Sequence, residues 1–375
     1  MNKGEFKNLD SLRGIMAMYV TVVHFYILYT LNKRHEMEFT GLKTLAVVQL
    51  GQIFMTVFFV LSGFLITYIL LIEKQKSNNL NFKRFYLRRA FRILPMYYLG
   101  VISMYLLYRK VCLGAELIHT ELCAELPERA FYYFAMIPNW AHAIDKNMPH
   151  ISNYWSIGAE EQFYLFWPLI LYFSKNYLRT FYGIYFFYCL LMIGFVVVGN
   201  VIYNNQNIVL IQFAKLFDYT RFGAFAFGGV IAFYFIHADE QRYHKIHQFF
   251  ILKKTQWFCL LLPFFVNVIP VVQVVFLKHL LVIPCCAILI YNMAYNEQSI
   301  LKIDHKYLNY LGKTTYSLYI LNQIVIDFAI KICMGAHIKG VVLIFVLTIS
   351  LLLITSILCY EFIEKPFMKL RRYFG

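Results

Sequence analysis

The chain has 375 residues, of which 60% are hydrophobic, 19% are aromatic and 15% are charged, and its mean hydropathy is +0.58. Soluble domains carry about 25% charged residues, so this composition excludes an ordinary soluble globular protein. The formal net charge of +15 does not indicate nucleic-acid binding, because the basic residues lie mainly between the apolar stretches.

The apolar residues form stretches of about twenty residues, the length that crosses a bilayer as a helix. Helices are expected because backbone polar groups in lipid must be satisfied within their own segment. We therefore predict an all-α, polytopic integral membrane protein with about ten transmembrane helices. The predicted spans lie near residues 10–30, 44–72, 93–110, 154–173, 181–203, 221–236, 256–271, 274–294, 314–334 and 341–360.

The lysines and arginines predict the orientation. With the N-terminus inside, most of them fall in cytoplasmic segments, as the positive-inside rule requires, and an even number of spans places both termini in the cytoplasm. We expect one membrane domain over residues 1–375, without an appended soluble domain or a cleavable signal peptide. Cys112 and Cys123 share the longest predicted outer loop, 111–153, and are candidates for a disulfide. The cysteines show no metal-binding spacing.

The first span contains the first candidate site, formed by Asp10, Arg13 and His24. Ionisable residues inside a membrane are costly and usually functional. Arg13 and His24 are eleven residues apart, which places them near one helix face and roughly 16 Å apart along the axis. A histidine there can act as a general base. The alternatives are an N-cap for Asp10, a snorkelling anchor for Arg13 and a packed side chain for His24.

Two candidates follow in the second and third spans. Ser62 and Gly63, in the segment FFVLSGFLIT at 58–67, could permit close helix approach or a local opening. Arginines cluster just before the third span, at Arg88, Arg89 and Arg92. Guanidinium groups bind phosphates in bidentate fashion, which suits a phosphate-rich cytoplasmic cofactor. Attraction to anionic lipid headgroups is the alternative.

The fourth span opens with SNYWSIGAEEQFYLFWPLI, in which Glu160 and Glu161 lie about one turn inside the helix, after Trp155. A carboxylate there could orient and charge-stabilise His24 as the third member of a triad does. The alternative is a pair of acids favoured by the helix dipole, which explains one glutamate better than two.

The ninth span opens with GKTTYSLYILNQ. Its polar side chains line a cavity or hydrogen-bond neighbouring helices, and both interpretations stay open. The residues concerned are Tyr316, Ser317, Tyr319, Asn322 and Gln323.

Taken together, these segments resemble the acyltransferase-3 family of bacterial membrane O-acyltransferases. The resemblance runs from LDSLRG at 9–14 to FIEKPF at 362–367 and covers nearly the whole chain. No single motif is decisive, but their order and spacing are specific. The intervening motifs are Arg-x10-His, FFVLSGF at 58–64, RRAFR with Arg89 and Arg92, WSIGAEEQFYL at 155–165 and GKTTYSLYI at 312–320.

The resemblance implies an enzyme of the bacterial inner membrane. It would transfer an acyl group, usually acetyl, from cytoplasmic acyl-CoA to a hydroxyl group of a carbohydrate or glycolipid, with no permanently bound cofactor. Arg13 and His24 match the essential arginine and histidine of the family, and Arg89 and Arg92 match its second arginine motif. Glu160 and Glu161 match its acidic motif. Further expected substrate contacts are Ser62, Trp155, Tyr316, Ser317 and Asn322.

One position departs from the family pattern. Many members have a histidine where this chain has Asn322, and an asparagine cannot serve as a base. The sequence therefore favours His24 as the base that removes a proton from the acceptor hydroxyl, while Glu160 or Glu161 orients it. Direct transfer and an acyl-enzyme route both stay open.

Two other functions fit part of the pattern. Intramembrane charges also suit a transporter or flippase of lipid-linked sugars, although the inverted repeats typical of transporters are not evident. An inactive scaffold member of the family is the third interpretation. The sequence identifies neither the acceptor hydroxyl, nor the acyl group, nor the oligomeric state.

Overall fold

The computed structural model describes residues 6–32, 42–113, 121–198, 207–268 and 275–370. All regular elements in these ranges are helical, which confirms the all-α prediction. The α-helices are α1 Lys7–Asn32, α2 Leu42–Ser77, α3 Phe82–Leu113, α4 Glu121–Phe134, α5 Pro138–Ala143, α6 Trp155–Phe173, α7 Tyr177–Val197, α8 Ile208–Thr220, α9 Phe222–Ile236, α10 His244–Ile251, α11 Lys253–Val268, α12 Val275–Tyr295, α13 Lys306–Gly335, α14 Val341–Cys359 and α15 Lys365–Leu370. A π-helical turn, Tyr360–Glu364, joins α14 to α15.

Seven helical segments in the described ranges are long and apolar enough to cross a bilayer. They are Lys7–Asn32, Leu50–Ser77, Phe82–Leu113, Tyr177–Phe195, Ile208–Ile236, Lys306–Gly335 and Val341–Leu370. An eighth is a bent pair, Gln241–Ile251 and Lys253–Val266, with an angle of 57°.

The predicted number of ten spans therefore stays a prediction. Helix α6 is not among the seven because Glu160, Glu161 and Gln162 lower its hydropathy. Helix α12 contributes only the shorter apolar segment Leu280–Tyr295. The predicted span residues 199–203, 269–271 and 274 lie outside the described residues.

The chain forms two compact units. The first comprises residues 1–16, 40–80 and 165–313, and the second comprises residues 17–39, 81–164 and 314–375. Helices α1, α6 and α13 contribute residues to both units.

Helix α9 is the core of the first unit. It is apolar on all sides, and residues 223–234 are buried, as expected for a helix without a polar face. A Cβ atom at Gly63 would lie 2.2 Å from the carbonyl oxygen of Phe225, and one at Gly228 would lie 2.3 Å from that of Val60. Helices α2 and α9 therefore pack backbone against backbone, which confirms the prediction that Gly63 permits close helix approach.

In the second unit, helix α14 has buried residues along one side and exposed apolar residues on the other. Ile344, Thr348, Leu352 and Ser356 are buried and recur every four residues, which places them on one side of the helix. Val342, in contrast, is 72% exposed. An apolar exposed face of this kind suits contact with lipid.

In the second unit, the segment between α3 and α6 is attached to α3. Cys112 forms a disulfide with Cys123 of α4, which confirms the predicted pairing. The buried Tyr97 hydroxyl of α3 donates to the carbonyl oxygen of Tyr133 at a distance of 2.8 Å. These contacts, at the middle and at the end of α3, hold α4 along the second half of α3.

Candidate functional site

Arg13 lies in the part of α1 that belongs to the first unit. Its guanidinium nitrogen is 3.5 Å from the carboxylate of Asp10, one turn earlier. Helix α1 begins at Lys7, so Asp10 is already inside the helix. The N-cap interpretation of Asp10 is therefore wrong, and this carboxylate instead pairs with Arg13.

Two glycines bring the start of α13 against this part of α1. A Cβ atom at Gly14 would lie 2.7 Å from the carbonyl oxygen of Leu308, and one at Gly312 would lie 2.0 Å from that of Asp10. The motifs LDSLRG and GKTTYSLYI therefore meet at the Asp10–Arg13 pair. Any larger residue at Gly312 would push the backbone of Asp10 away.

His24 lies on α1 within the second unit, and its side chain is half-buried. The imidazole Nδ1 is 2.7 Å from the Oδ1 atom of Asn322. The Asn322 amide nitrogen donates to the Thr21 hydroxyl oxygen at 2.7 Å, and the Thr21 hydroxyl donates to the carbonyl oxygen of Ala17 at 2.8 Å. Thr21 and Asn322 are both 0% exposed. Within the described ranges, no hydrogen bond involves Nε2 of His24.

This arrangement differs from the sequence hypothesis. We expected Glu160 or Glu161 to orient His24, but its hydrogen-bond partner in the described part of the chain is Asn322. Asn322 cannot act as a base itself and instead contacts the candidate base. Thr21 was missed by the sequence analysis because a threonine in an apolar helix carries no distinguishing signal.

The two glutamates instead belong to a cluster with Arg89. The guanidinium carbon of Arg89 lies 5.3 Å from the ring centroid of Tyr164, and Arg89 is an electrostatic neighbour of Glu161. Glu160 accepts a hydrogen bond of 3.0 Å from the Tyr164 hydroxyl. The Oε1 atom of Glu161 is buried without a hydrogen-bond partner among the described residues. A buried polar atom of this kind is explained by a catalytic role or by a bound water or ion.

Arg92 has a different acidic neighbour, Glu364. The carboxylate of Glu364 is 1% exposed and accepts a hydrogen bond of 2.7 Å from the Ser317 hydroxyl, and Arg92 acts on it electrostatically. Glu364 lies in the π-helical turn, a local geometry that is frequent at functional sites. We did not select this residue from the sequence, although it is the acid of the segment FIEKPF at 362–367. Arg88 is half-buried on α3, next to Arg89.

The predicted substrate contacts are distributed unevenly. Ser62 is buried in α2 of the first unit, and the other four lie in the second unit. Trp155 stacks with His142 at a centroid distance of 5.9 Å. The Tyr316 hydroxyl donates to the carbonyl oxygen of Ile93 at 2.8 Å, so this hydroxyl, like that of Ser317, is bonded within the protein.

Helix α13 connects the two parts of the site in the second unit. Tyr316 is an electrostatic neighbour of Glu161, and Asn322 contacts His24. These positions of α13 are six residues apart, which corresponds to about 9 Å along the helix axis. The arginine–glutamate cluster and the imidazole are thus held by one rigid element.

The segment between α3 and α6 has charged contacts of its own. Glu125 is paired with Lys146 and Arg129, and the hydrogen bond from Lys146 lowers the pKa of the Glu125 carboxyl. The same contact raises the pKa of Lys146. His150 Nε2 lies 2.6 Å from the buried carboxylate of Asp327. These contacts order the segment that precedes α6.

Comparison with known proteins places these residues in a family. A family model described as an acyltransferase domain, acyltransferase 3, matches residues 6–361. The peptidoglycan O-acetyltransferase OatA of Listeria monocytogenes is 31% identical over 160 residues, 37% of this chain and 25% of its own length. A protein of Staphylococcus aureus (strain COL), provisionally named an O-acetyltransferase, is 28% identical over 371 residues, 96% of this chain and 57% of its own length.

The chain therefore spans less than two thirds of the length of these relatives. No solved structure matches the chain.

Proposed function

Because the chain belongs to the acyltransferase-3 family, we propose that it transfers an acyl group, most simply acetyl, from acyl-CoA to a hydroxyl group of a carbohydrate or glycolipid. The observation that carries this proposal is His24, whose Nδ1 contacts a fully buried amide while Nε2 makes no hydrogen bond in the described ranges. An imidazole held in this way can accept a proton at neutral pH. The name of the Listeria relative makes peptidoglycan the first acceptor to test.

The reaction follows from the roles of these groups. His24 Nε2 removes the proton of the acceptor hydroxyl, whose oxygen attacks the thioester carbonyl carbon. The carbon–sulfur bond then breaks, and the thiolate of CoA takes the proton from the imidazolium as it leaves. The products are an O-acyl ester and CoA, and His24 returns to its neutral form.

The donor binds, in this proposal, at the arginines of α3. Arg88, Arg89 and Arg92 lie within five residues of each other at the start of that helix, and guanidinium groups suit the phosphates of CoA. Glu161 and Glu364 are the electrostatic neighbours of Arg89 and Arg92 and would hold their side chains in place. Arg13, on the same helix as His24, is a further candidate for binding the donor.

The membrane arrangement is part of the proposal. We propose ten spans with both termini in the cytoplasm of a bacterium and the chain in its inner membrane. The basic start of α3 then faces the cytoplasm, where acyl-CoA is made, and the disulfide between Cys112 and Cys123 lies on the oxidising side. A donor on one side and a glycan on the other would explain why the chemistry takes place inside a membrane protein.

The test uses the purified chain in proteoliposomes with radiolabelled acetyl-CoA and soluble peptidoglycan fragments. We expect label to enter the glycan as an ester that mild alkali releases. Absence of transfer to any tested glycan, together with counterflow of a lipid-linked sugar without acetyl-CoA, would show that the chain is a carrier and not an enzyme. A chain that neither transfers nor transports would be an inactive scaffold.

A further inference from the structure

A chain of three hydrogen bonds, two of them buried and the last part-buried, ends at His24 and determines which nitrogen of the ring carries the proton. It runs from the carbonyl oxygen of Ala17 through Thr21 and Asn322 to Nδ1, with lengths of 2.8, 2.7 and 2.7 Å. The direction of each bond follows from the donors and acceptors available.

The direction is set at Thr21. Its hydroxyl proton is given to the carbonyl oxygen of Ala17, four residues earlier on α1, a common bond for threonine in helices. A hydroxyl has a single proton, so the Thr21 oxygen can only accept from Asn322. The amide group of Asn322 must therefore point its NH₂ at Thr21.

The oxygen of Asn322 then faces His24. An amide oxygen can only accept a hydrogen bond, so Nδ1 of His24 must carry the proton. In a neutral imidazole the other nitrogen, Nε2, is then the free base. The His24 residue is half-buried and not fully buried, so a substrate hydroxyl can approach its ring.

We propose that Thr21 and Asn322 are positioning residues that hold His24 in the Nδ1–H tautomer, with Nε2 directed to the acceptor hydroxyl. This inference rests on the proposed function of His24 as the base. A carboxylate usually performs this task. At a site that is 0% exposed, a neutral amide orients the ring without the cost of a buried charge.

The opposite arrangement gives a clear contrast. If the Thr21 hydroxyl donated to the Asn322 oxygen, the amide nitrogen would donate to Nδ1, and Nε2 would carry the proton. Asn322→Asp separates the two cases because a carboxylate can accept from Nδ1–H but cannot donate to Nδ1. Thr21 can then turn its hydroxyl towards the second carboxylate oxygen.

The experiment measures kcat, KM for acetyl-CoA and the pH profile of transfer for Asn322→Ala, Asn322→Asp and Thr21→Val. We expect Asn322→Ala to lower kcat on the order of 10²-fold with little change in KM, and Thr21→Val to lower kcat less because the amide can turn. Asn322→Asp should keep kcat within about tenfold of the parent, and the acid limb of its profile should move to higher pH because the carboxylate stabilises the imidazolium.

Thr30→Val is the matched control. Thr30 lies on the same helix and makes the same kind of bond to a carbonyl four residues earlier, that of Tyr26. Its substitution should leave kcat unchanged.

The inference is overturned if Asn322→Ala and Thr21→Val keep the parental kcat, or if Asn322→Asp is as impaired as Asn322→Ala. If Asn322→Ala does not fold, the kcat values of Asn322→Asp and Thr21→Val test the inference. His24→Ala separates this failure from that of the proposed function. If His24→Ala is inactive while the Asn322 variants keep their activity, His24 remains the base and its positioning by Asn322 is refuted. When His24→Ala is fully active, the proposed function of His24 itself fails.

Discussion

Glu364 illustrates how a buried charge is stabilised in this protein. It accepts a hydrogen bond from Ser317 and has Arg92 as an electrostatic neighbour. Removal of one partner from a buried carboxylate leaves a lone pair unsatisfied, which costs more than the loss of an average hydrogen bond. This contact gives Ser317, which the sequence predicts as a substrate contact, a role in stability.

Substitution of Ser317 by alanine should therefore destabilise the second unit. We expect a loss of about 1 to 3 kcal/mol, measured as a lower midpoint of thermal unfolding in detergent micelles. Ser356→Ala is the matched control, because Ser356 is equally buried in the same unit and its hydroxyl has no hydrogen-bond partner among the described residues. Its midpoint should stay close to that of the parent, and an equal loss in both variants would contradict this role for Ser317.

At the scale of elements, close helix contacts through glycine connect the sequence motifs. Gly312 of α13 approaches the backbone of Asp10, and Gly63 of α2 approaches that of Phe225. Glycine is needed there because an added Cβ atom would meet a main-chain oxygen that cannot move aside like a side chain.

Gly312→Ala should lower both the yield of folded protein and its transfer activity, because α1 must shift near Arg13. We expect the variant to be destabilised by about 1 to 3 kcal/mol or more. The midpoint of thermal unfolding measures this loss, and labelled acetyl transfer measures the loss of activity. Gly183→Ala in α7 is the control. A Cβ atom there has no neighbour within 4 Å, so helix propensity alone should stabilise the chain by about 0.5 to 1 kcal/mol. A Gly312→Ala variant as stable and active as Gly183→Ala would refute the close contact.

The sequence predicted the helices well where apolar length decides them, and less well where polar residues interrupt a span. Helix α6 shows the limit, because its two glutamates were expected beside His24 and instead accompany Arg89. The spacing of Arg13 and His24 predicted that both lie on one helix, and both lie on α1. The hydrogen-bond partner of His24, Asn322, comes from α13, almost three hundred residues away, and no local pattern could identify it. Glu364 was missed for the same reason, because its partner Ser317 is distant in the sequence, whereas Thr21 lies on α1 itself but carries no distinguishing signal.

At the scale of the whole molecule, topology is the property that the chemistry depends on. In the proposed orientation, the segment between α3 and α6, which contains the Cys112–Cys123 disulfide, lies outside the cytoplasm. The basic start of α3 lies inside. Five of the six free cysteines are buried, so a single exposed cysteine can report the side of the membrane.

Asp145→Cys and Lys76→Cys, each in a Cys359→Ser background, should therefore label differently in intact cells. Both positions are exposed in the structure. The cells are first treated so that a small charged maleimide can cross the cell wall or outer membrane. Asp145→Cys should then react at once. Lys76→Cys should react only after the cytoplasmic membrane is lysed. Reaction of Lys76→Cys before lysis would invert the proposed orientation.

The account depends above all on His24 as the base of an acyl transfer, and one measurement tests this directly. Labelled acetyl transfer to glycan is compared between the parent, His24→Ala and His337→Ala, the last being a control at an exposed position far along the chain. We predict that His24→Ala loses roughly 10²- to 10⁴-fold in kcat and remains folded, with a lower unfolding midpoint because the buried Asn322 loses its partner, while His337→Ala keeps the parental rate. Full transfer by a folded His24→Ala protein would contradict the account.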